Sequence, residues 1–187
     1  TKTAPSTGMH QTTSTTQGGF TPTNSSGANS GKKYLNFTIK NAAAGVSLLG
    51  FSSFPDSLCE VGVEFSNTFN LIGDSIANDI GNSSSSTFGI KATGQKNTKI
   101  YNNEIRNITC IGTGTVDGIK LDYTGSITTS AGDILIYRNK IHDLNNTSTS
   151  AGVVRGINDN LTSNTTSISY IYNNFIYNLN SSSTSTS

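Results

Sequence analysis

The side chains of this sequence that could do acid–base chemistry are few, and several of them are grouped around residue 120. Asp117 and Asp122 flank Lys120, and Arg155 lies in a later segment of the same type. On a regular strand Lys120 and Asp122 share a face, whereas Asp117 and Lys120 do not. General acid–base catalysis needs such groups to converge within hydrogen-bonding distance. Because the repeats place no two acids at equivalent positions, we predict an ion pair between Asp117 and Arg155 and no catalytic site.

The two histidines and two cysteines lack the spacing of metal ligands. His10 lies in a polar N-terminal stretch, and His142 lies at a variable, outward position of a repeat. Structural zinc sites need closely spaced pairs of such residues, so we predict neither a metal nor a cofactor. Cys59 and Cys110 either form a disulfide, as two cysteines of an exported protein can, or are two small buried side chains.

A short segment occurs three times and determines the predicted architecture. It stands at 100–108 (IYNNEIRNI), at 136–144 (IYRNKIHDL) and at 171–179 (IYNNFIYNL), at intervals of 36 and 35 residues. A repeat of this period is typical of solenoids, in which one supersecondary unit stacks on the next. The alternation of apolar and polar residues, many of them β-branched or aromatic, predicts strands and not helices.

Stacking of these segments predicts columns of identical side chains. The members are Ile105, Ile141 and Ile176 in a buried column, with Ile100, Ile136 and Ile171 stacked nearby; Asn103, Asn139 and Asn174 in an amide ladder; and Tyr101, Tyr137 and Tyr172 in an aromatic column. Identical side chains in stacked strands lie about 4.8 Å apart, which suits both ladders and stacked rings. Alternatively, the asparagine row binds a ligand or the tyrosine stripe binds sugar. Alternation counted from Ile100 places Asn102 on the same side as Ile100, and we assign Ile105 and Ile108 to that side as well. Tyr101 and Asn103 are then predicted on the opposite side.

A second marker, glycine followed by isoleucine, precedes each copy. It stands at Gly89-Ile90, Gly118-Ile119 and Gly156-Ile157, and Gly62-Val63 looks like an earlier and weaker member. Residues 71–76 align loosely with 100–105. One unit is therefore predicted to contain a Gly-Ile strand, a turn, a strand of the Ile-Tyr-Asn-Asn type and a polar loop of variable length.

The two markers together resemble the repeat of right-handed parallel β-helix proteins, the pectin-lyase-like group of secreted and surface proteins. The resemblance covers about residues 60–180. It implies an all-β fold, a right-handed parallel β-helix (solenoid) of about four to five coils. Members of this group include polysaccharide lyases and hydrolases, phage tailspikes, adhesins and structural surface proteins, so the fold alone does not imply a function.

The N-terminal part of the chain differs in composition from the rest. Residues 1–33 are rich in Ser, Thr, Gly and Gln, which predicts an extended polar arm held by the flank of its own helix or by another subunit. The β-helix domain is predicted over 34–187, with a short helix or a cap coil within 42–55. No capping helix follows Leu179, so we expect flanking repeats or another subunit to cover the last coil.

The overall composition is polar and nearly neutral. Charged residues make up 12% of the chain, the net charge is +1, and about two fifths of the residues are Ser, Thr or Asn. This composition argues against nucleic-acid binding, and no apolar stretch is long enough for a membrane span. It favours an exported, extracellular or cell-surface chain. If the chain is N-glycosylated, we expect sugar at four Asn-x-Ser/Thr sites taken to lie in loops: Asn82, Asn145, Asn160 and Asn164.

Three hypotheses about function follow. The first is an extracellular structural or adhesive protein: a self-assembling filament, sheath or surface subunit, or a module of a large adhesin. Its partners would be copies of itself arranged head to tail, flanking repeats, or surface glycans. The second is a carbohydrate-active β-helix enzyme of the polysaccharide lyase type, and the third is a glycan-binding, tailspike-like module. We favour the first, a protein without enzymatic activity, because the repeat surface is neutral and the sequence predicts no acidic or basic cleft.

Overall fold

The computed structural model describes residues 7–12, 31–50, 56–63, 69–75, 78–122, 132–160 and 168–184. The regular elements in these ranges are all β-strands. They are β1 (Thr7–Thr12), β2 (Lys33–Tyr34), β3 (Thr38–Ile39), β4 (Ala44–Leu49), β5 (Asp56–Ser57), β6 (Glu60–Gly62), β7 (Asn70–Ile72), β8 (Ile80–Ser83), β9 (Thr87–Thr93), β10 (Gln95–Lys96), β11 (Thr98–Tyr101), β12 (Asn103–Cys110), β13 (Thr115–Asp122), β14 (Ile134–Tyr137), β15 (Lys140–Asn146), β16 (Val153–Asn160), β17 (Ser169–Tyr172) and β18 (Phe175–Ser181). Among these residues, none belongs to a helix that could cross a membrane.

The strands form three parallel sheets, which the chain visits in turn. Sheet 1 has the order β1-β4-β9-β13-β16, sheet 2 the order β2-β6-β11-β14-β17, and sheet 3 the order β3-β7-β12-β15-β18, with β8 also paired to β12. β5 and β10 form a further short parallel pair. We call one pass of the chain through sheets 1, 2 and 3 a winding. Because the strands of successive windings pair in parallel and in chain order, the prediction of an all-β parallel solenoid is confirmed.

Columns of aliphatic side chains fill the interior of the solenoid. In sheet 3, Ile72 pairs with Ile105, Ile105 with Ile141, and Ile141 with Ile176. The corresponding register positions are Tyr34, Val61, Ile100, Ile136 and Ile171 in sheet 2, and Met9, Val46, Ile90, Ile119 and Ile157 in sheet 1. Fully burying one such aliphatic side chain contributes about 1.5–3 kcal/mol. These columns therefore supply the thin core that a chain with 33% hydrophobic residues can form.

The Gly-Ile marker has a physical cause in the contact between sheets 1 and 3. The glycines that stack in sheet 1 are Gly45, Gly89, Gly118 and Gly156. A Cβ atom on Gly156 would lie 2.6 Å from Cγ2 of Ile176, and one on Gly45 would lie 2.7 Å from Cγ2 of Ile72. Carbon atoms do not pack that closely. Glycine is therefore required wherever sheet 1 meets the isoleucine column of sheet 3.

Residues with left-handed backbone conformation form the corners between sheets 2 and 3. They are Asn102 (φ 50°), Arg138 (φ 56°) and Asn173 (φ 54°). Asparagine adopts this conformation more readily than most residues. The corner shifts the alternation of side chains, so Asn103 is buried in the same strand and on the same side as Ile105. The prediction that Asn103 lies opposite to Ile105 is therefore wrong.

Three predictions for the first windings are also wrong, because they assigned residues to the wrong strand position or element. Gly62 lies in sheet 2 opposite Tyr101, and the position equivalent to Gly-Ile is held by Gly45-Val46 in β4. Ile72 pairs with Ile105, so residues 71–76 do not align with 100–105. Residues 42–55, where a helix or cap coil was expected, contain the buried strand β4, while 51–55 lie outside the described residues.

Part of the predicted arm, residues 1–33, belongs to the solenoid. β1 pairs in parallel with β4 from Thr7 opposite Ala44 to Thr12 opposite Leu49, which places Gly8 opposite Gly45. β2 begins at Lys33. Residues 1–6 and 13–30 lie outside the described residues. Residues 7–12 of the predicted arm are therefore held by the chain's own sheet 1. The sequence had left two alternatives open, the flank of the chain's own β-helix and another subunit.

Candidate functional site

The last strands of the three sheets form an open surface, which we call the C-terminal face. It consists of β16, β17 and β18, each the final strand of its sheet within the described residues. The exposed apolar side chains there are Val153, Ile168, Tyr170, Ile171, Tyr172, Phe175, Ile176 and Leu179. An edge strand presents unpaired N–H and C=O groups, and together with exposed apolar side chains it forms a template for another strand.

Ile176 shows how this face differs from the interior. Its side chain is 40% exposed, whereas Ile141, its partner in the preceding winding, is 0% exposed. The neighbouring column repeats the contrast, because Leu144 is buried and Leu179 is exposed. The predicted burial of Ile176 is therefore wrong, since the described residues place no winding on its other side. The C-terminal face therefore exposes the apolar columns of sheets 2 and 3 that are fully buried in the two preceding windings.

An asparagine ladder runs through the solenoid beside the corner between sheets 2 and 3. Nδ2 of Asn70 donates to Oδ1 of Asn103 at 2.9 Å, Asn103 donates to Asn139 at 2.9 Å, and Asn139 donates to Asn174 at 3.0 Å. The same Nδ2 atoms also donate to backbone carbonyls, as from Asn139 to Ile100 at 3.0 Å. A buried amide is costly unless its donors and acceptor are paired, and this ladder pairs them.

The ladder has a direction and one member that the sequence did not reveal. Asn70 was not predicted, because its segment lacks the Ile-Tyr-Asn-Asn pattern that marks the later windings. Every Nδ2-to-Oδ1 hydrogen bond points from Asn70 towards Asn174. Nδ2 of Asn174 donates to the carbonyl of Ile136 at 3.0 Å. By the same geometry its second N–H is directed to the C-terminal face.

The three predicted tyrosines form a stacked column. The ring centroids of Tyr101 and Tyr137 are 5.1 Å apart with an interplanar angle of 5°, and those of Tyr137 and Tyr172 are 5.2 Å apart with an angle of 2°. Tyr101 is buried, and its hydroxyl donates to Oε2 of Glu60 at 3.2 Å. Tyr172 is exposed on the C-terminal face. The column is thus covered at one end and open at the other.

The opposite surface, which we call the N-terminal face, consists of β1, β2 and β3. It carries the half-exposed Lys33, whose Nζ lies 3.3 Å from Glu60, and the largely exposed Lys40, whose Nζ lies 3.5 Å from Asp74. Leu35 is exposed there, while Tyr34 and Phe37 pack partly against the core. This face therefore presents ion-paired lysines and apolar side chains, whereas the C-terminal face presents aromatic and aliphatic side chains.

The carboxylates considered for catalysis are held in ion pairs between windings. Arg155 donates from Nε to Oδ1 of Asp117 at 2.6 Å and from Nη2 to Oδ2 at 3.2 Å. Asp122 lies 3.2 Å from Nζ of Lys120 and 3.4 Å from Nζ of Lys91. Burial raises the pKa of Asp122, but the hydrogen bonds and charges of Lys120 and Lys91 outweigh it and lower that pKa. The predicted pair of Asp117 with Arg155 and the shared face of Lys120 and Asp122 are both present.

A cluster around Glu104 was not predicted from the sequence. Oε1 of Glu104 lies 3.0 Å from Nζ of Lys140 and 3.0 Å from Nε2 of His142. Nδ1 of His142 lies 2.7 Å from Oδ2 of Asp143. The imidazole ring, which is buried, stacks on Tyr177 with centroids 4.7 Å apart. Only the register of β12, β15 and β18 brings these groups together.

Both carboxylates of this cluster have lowered pKa values. Burial raises the pKa of Glu104, but hydrogen bonds from His142 and Lys140 and the charges of Lys140 and Arg106 bring it below its ordinary value. The hydrogen bond between Asp143 and His142 and the hydrogen bond that Asn178 donates lower the pKa of Asp143. Both groups are therefore ionised at neutral pH, and the cluster holds β12 to β15 electrostatically.

A polar groove of about 310 Å³ lies along the outside of sheet 3 beside this cluster. Its lining residues are Asn78, Asn107, Thr109, Asp143, Asn145 and Asn180. Thr109 donates to Oδ1 of Asn78 at 2.6 Å, and Asn178 donates to Oδ1 of Asp143 at 3.0 Å. Amides and hydroxyls that line one groove provide donors and acceptors for a hydroxyl-rich ligand.

The remaining candidates fall at separate places. Both cysteines are buried thiols that do not form a disulfide with each other. The described residues contain no group of three or more side chains suited to a metal ion. Asn82 and Asn160 are exposed but lie in β8 and β16, and Asn145 lies half-buried in β15, so their placement in loops was wrong. Asn164 lies outside the described residues.

Comparisons with protein-family models, with curated proteins and with solved structures found no significant match for this chain.

Proposed function

We propose that this chain is a structural, non-enzymatic β-solenoid of an extracellular filament, sheath, surface layer or adhesin, and that it assembles with copies of itself end to end. The observation on which the proposal rests is the C-terminal face, where Ile171, Ile176 and Leu179 continue columns whose members in the two preceding windings are fully buried. We further propose that the fold is a right-handed β-helix of the pectin-lyase-like kind. The low charge and the abundance of Ser, Thr and Asn support an extracellular or surface location.

The chemistry of an open sheet end supports this proposal. Three adjacent edge strands present parallel rows of backbone donors and acceptors, so a partner strand can pair with each of them. When the contact surfaces of two copies differ and their rotation does not close, the contact propagates into an open polymer. The C-terminal and N-terminal faces are such a pair of different surfaces on one chain.

The ion pairs support a role without catalysis. The carboxylates of Asp117 and Asp122 are engaged by Arg155 and by two lysines, respectively. A general acid or base needs a proton-transferring group directed at a substrate. The second hypothesis, a polysaccharide lyase, is tested by polysaccharide turnover with the purified chain. Turnover that is lost in Asp122→Ala would replace the structural proposal with the enzymatic one.

The test of assembly uses the full chain. We expect sedimentation velocity to show oligomers that grow with concentration, and electron microscopy to show filaments. A chain that stays monomeric at high micromolar concentration contradicts the proposal.

The polar groove of sheet 3 favours glycan binding as a second candidate function. Its lining of amides, a hydroxyl and a carboxylate supplies hydrogen-bond donors and acceptors that suit the hydroxyl groups of a sugar. Titration with surface oligosaccharides should then shift the NMR signals of Asn145 and Asn180 and leave those of the distant Lys91 unchanged. Absence of any shift at millimolar sugar rules out this function for the groove.

A further inference from the structure

We propose that the joint between copies is in register: the C-terminal face of one chain receives the N-terminal face of the next, so that Ile176 covers Ile39 and Ile171 covers Tyr34. This inference rests on the proposed end-to-end assembly and adds the partner surface and its alignment. In such a joint β16 pairs with β1, β17 with β2, and β18 with β3 of the next copy. Each sheet then continues through the joint in its existing strand order.

The two faces have residues with left-handed backbone conformation at matching positions around sheet 3. The N-terminal face has left-handed residues at Asn36 (φ 55°) and Asn41 (φ 54°), and the C-terminal face has them at Asn173 (φ 54°) and Asn178 (φ 53°). Register along sheet 3 places Asn36 in the row of Asn173 and Asn41 in the row of Asn178. The matching left-handed positions favour pairing of β18 with β3 and of β17 with β2 in this register.

The side chains that face each other in this register are chemically matched. Tyr170 occupies the row of Lys33 in sheet 2, and Tyr177 occupies the row of Lys40 in sheet 3. On the N-terminal face Lys33 is half exposed and Lys40 is largely exposed, and Tyr170 is exposed on the C-terminal face. Stacking at the joint would place each ammonium group or its aliphatic stem on a tyrosine ring, as in cation–π contacts.

The core columns are matched as well. Gly156 occupies the row of Gly8 in sheet 1, so the glycine column continues. The asparagine ladder is the exception, because the position in the row of Asn174 is Phe37. The last amide N–H would meet the ring of Phe37, which is a weaker partner than an amide oxygen. In this joint the apolar columns and the glycine column therefore continue from one copy to the next, whereas the asparagine ladder stops at Asn174.

Cysteine pairs test the register directly. Lys33 and Tyr170 lie at opposite edges of sheet 2, four strand spacings or about 19 Å apart within one chain. A disulfide needs Cα atoms about 4.4–6.8 Å apart, so a bond between these positions forms only between copies. We would oxidise Lys33→Cys/Tyr170→Cys and Lys40→Cys/Tyr177→Cys during assembly and separate the products on a non-reducing denaturing gel. The swapped pairs Lys33→Cys/Tyr177→Cys and Lys40→Cys/Tyr170→Cys are the controls.

The outcomes separate the register from the assembly itself. An in-register joint gives ladders of linked oligomers for the two matched pairs, at least tenfold stronger than for the swapped pairs. Stronger linking of the swapped pairs, or no linking in variants that still form filaments, overturns the register but not the assembly. If the unmodified chain forms no polymer, the proposed function itself fails.

Discussion

A Cβ atom placed on Gly118 would lie 2.5 Å from Cγ2 of Ile141. The two residues belong to different sheets, and their contact is repeated at the other levels of the solenoid. The carbonyl oxygen of Gly156 also stands 2.5 Å from that Cβ position. The glycine of the Gly-Ile marker thus recurs in the sequence because the same tight contact between sheets 1 and 3 recurs along the solenoid.

Replacing Gly118 with alanine should destabilise the fold by about 1–3 kcal/mol or more, because overpacking displaces the sheets. Denaturant unfolding monitored by circular dichroism measures the loss. Ile141→Ala removes Cγ2, so the double variant should lose less than the sum of the two single variants. An unchanged midpoint for Gly118→Ala would show that the two sheets are not in contact there.

Ile141 and Ile176 offer a matched pair for testing the open face. Replacing the fully buried Ile141 with alanine should cost ~2–4 kcal/mol through the cavity that it leaves. The same change at Ile176, which is 40% exposed, should cost much less in the monomer. In the assembled state Ile176 is covered by the next copy. Ile176→Ala should therefore raise the concentration needed for polymerisation, and by more than Ile141→Ala does. Equal losses of monomer stability would mean that Ile176 is covered within the chain.

The asparagine ladder predicts an unusual pH dependence for Asn139→Asp. The introduced carboxyl group would face Oδ1 of Asn174 and the carbonyl of Ile100, both of which accept hydrogen bonds from Asn139. Burial and these acceptors raise its pKa in the folded state above the unfolded value of about 3.9. The variant should therefore lose stability relative to the unmodified chain as pH rises through the folded pKa. Asn139→Ala, which has no ionisable group, should lose the same stability at pH 4 and pH 7.

The repeated strands could be predicted because three windings keep the same residues at the same positions. Ile105, Ile141 and Ile176 pair in register because each must occupy the space beside a glycine. The error over Asn103 has a different origin. Alternation assumes a continuous strand, and the left-handed corner at Asn102 interrupts it, although the asparagine pair gives no direct sign of where the corner falls.

The first windings and the Glu104 cluster could not be predicted, because the sequence of a strand does not show which residues of the neighbouring winding pair with it. β4 carries Gly45-Val46 in place of Gly-Ile, and nothing in its local sequence separates a central strand from a short buried helix. His142 meets Glu104 only because β12 and β15 pair without offset. Contacts between windings depend on loop lengths, which vary from unit to unit and are not encoded by the strand motif.

The Glu104 cluster should make the solenoid sensitive to acid. Because the pKa of Glu104 is lowered from its ordinary value of 4.5 in the folded state, its contribution to stability is complete above about pH 4.5. The contribution is lost as pH falls through the folded pKa, since protonation removes the negative charge that pairs with Lys140. Thermal unfolding from pH 7 to pH 3 should show a smaller acid-induced fall in melting temperature for Glu104→Gln. An identical fall in both proteins would contradict this role.

Deleting residues 1–12 should separate folding from assembly. The deletion removes β1 and leaves β4 as the edge of sheet 1. In the intact chain Val46 and Leu48 of β4 are fully buried. We expect the remaining strands to fold with reduced stability, because sheets 2 and 3 keep their full strand order. Assembly should weaken more strongly, since the N-terminal face loses one of its three strands and the partner's β16 has nothing to pair with.

Deletion of residues 1–6 is the matched control, because it leaves β1 in place and should assemble as the full chain does. Sedimentation velocity and electron microscopy of the two truncated chains at equal concentration provide the comparison. Filaments of unchanged length and abundance from the chain that lacks residues 1–12 would show that β1 takes no part in the joint. Loss of the β-sheet signal in that chain would instead make β1 a requirement for folding.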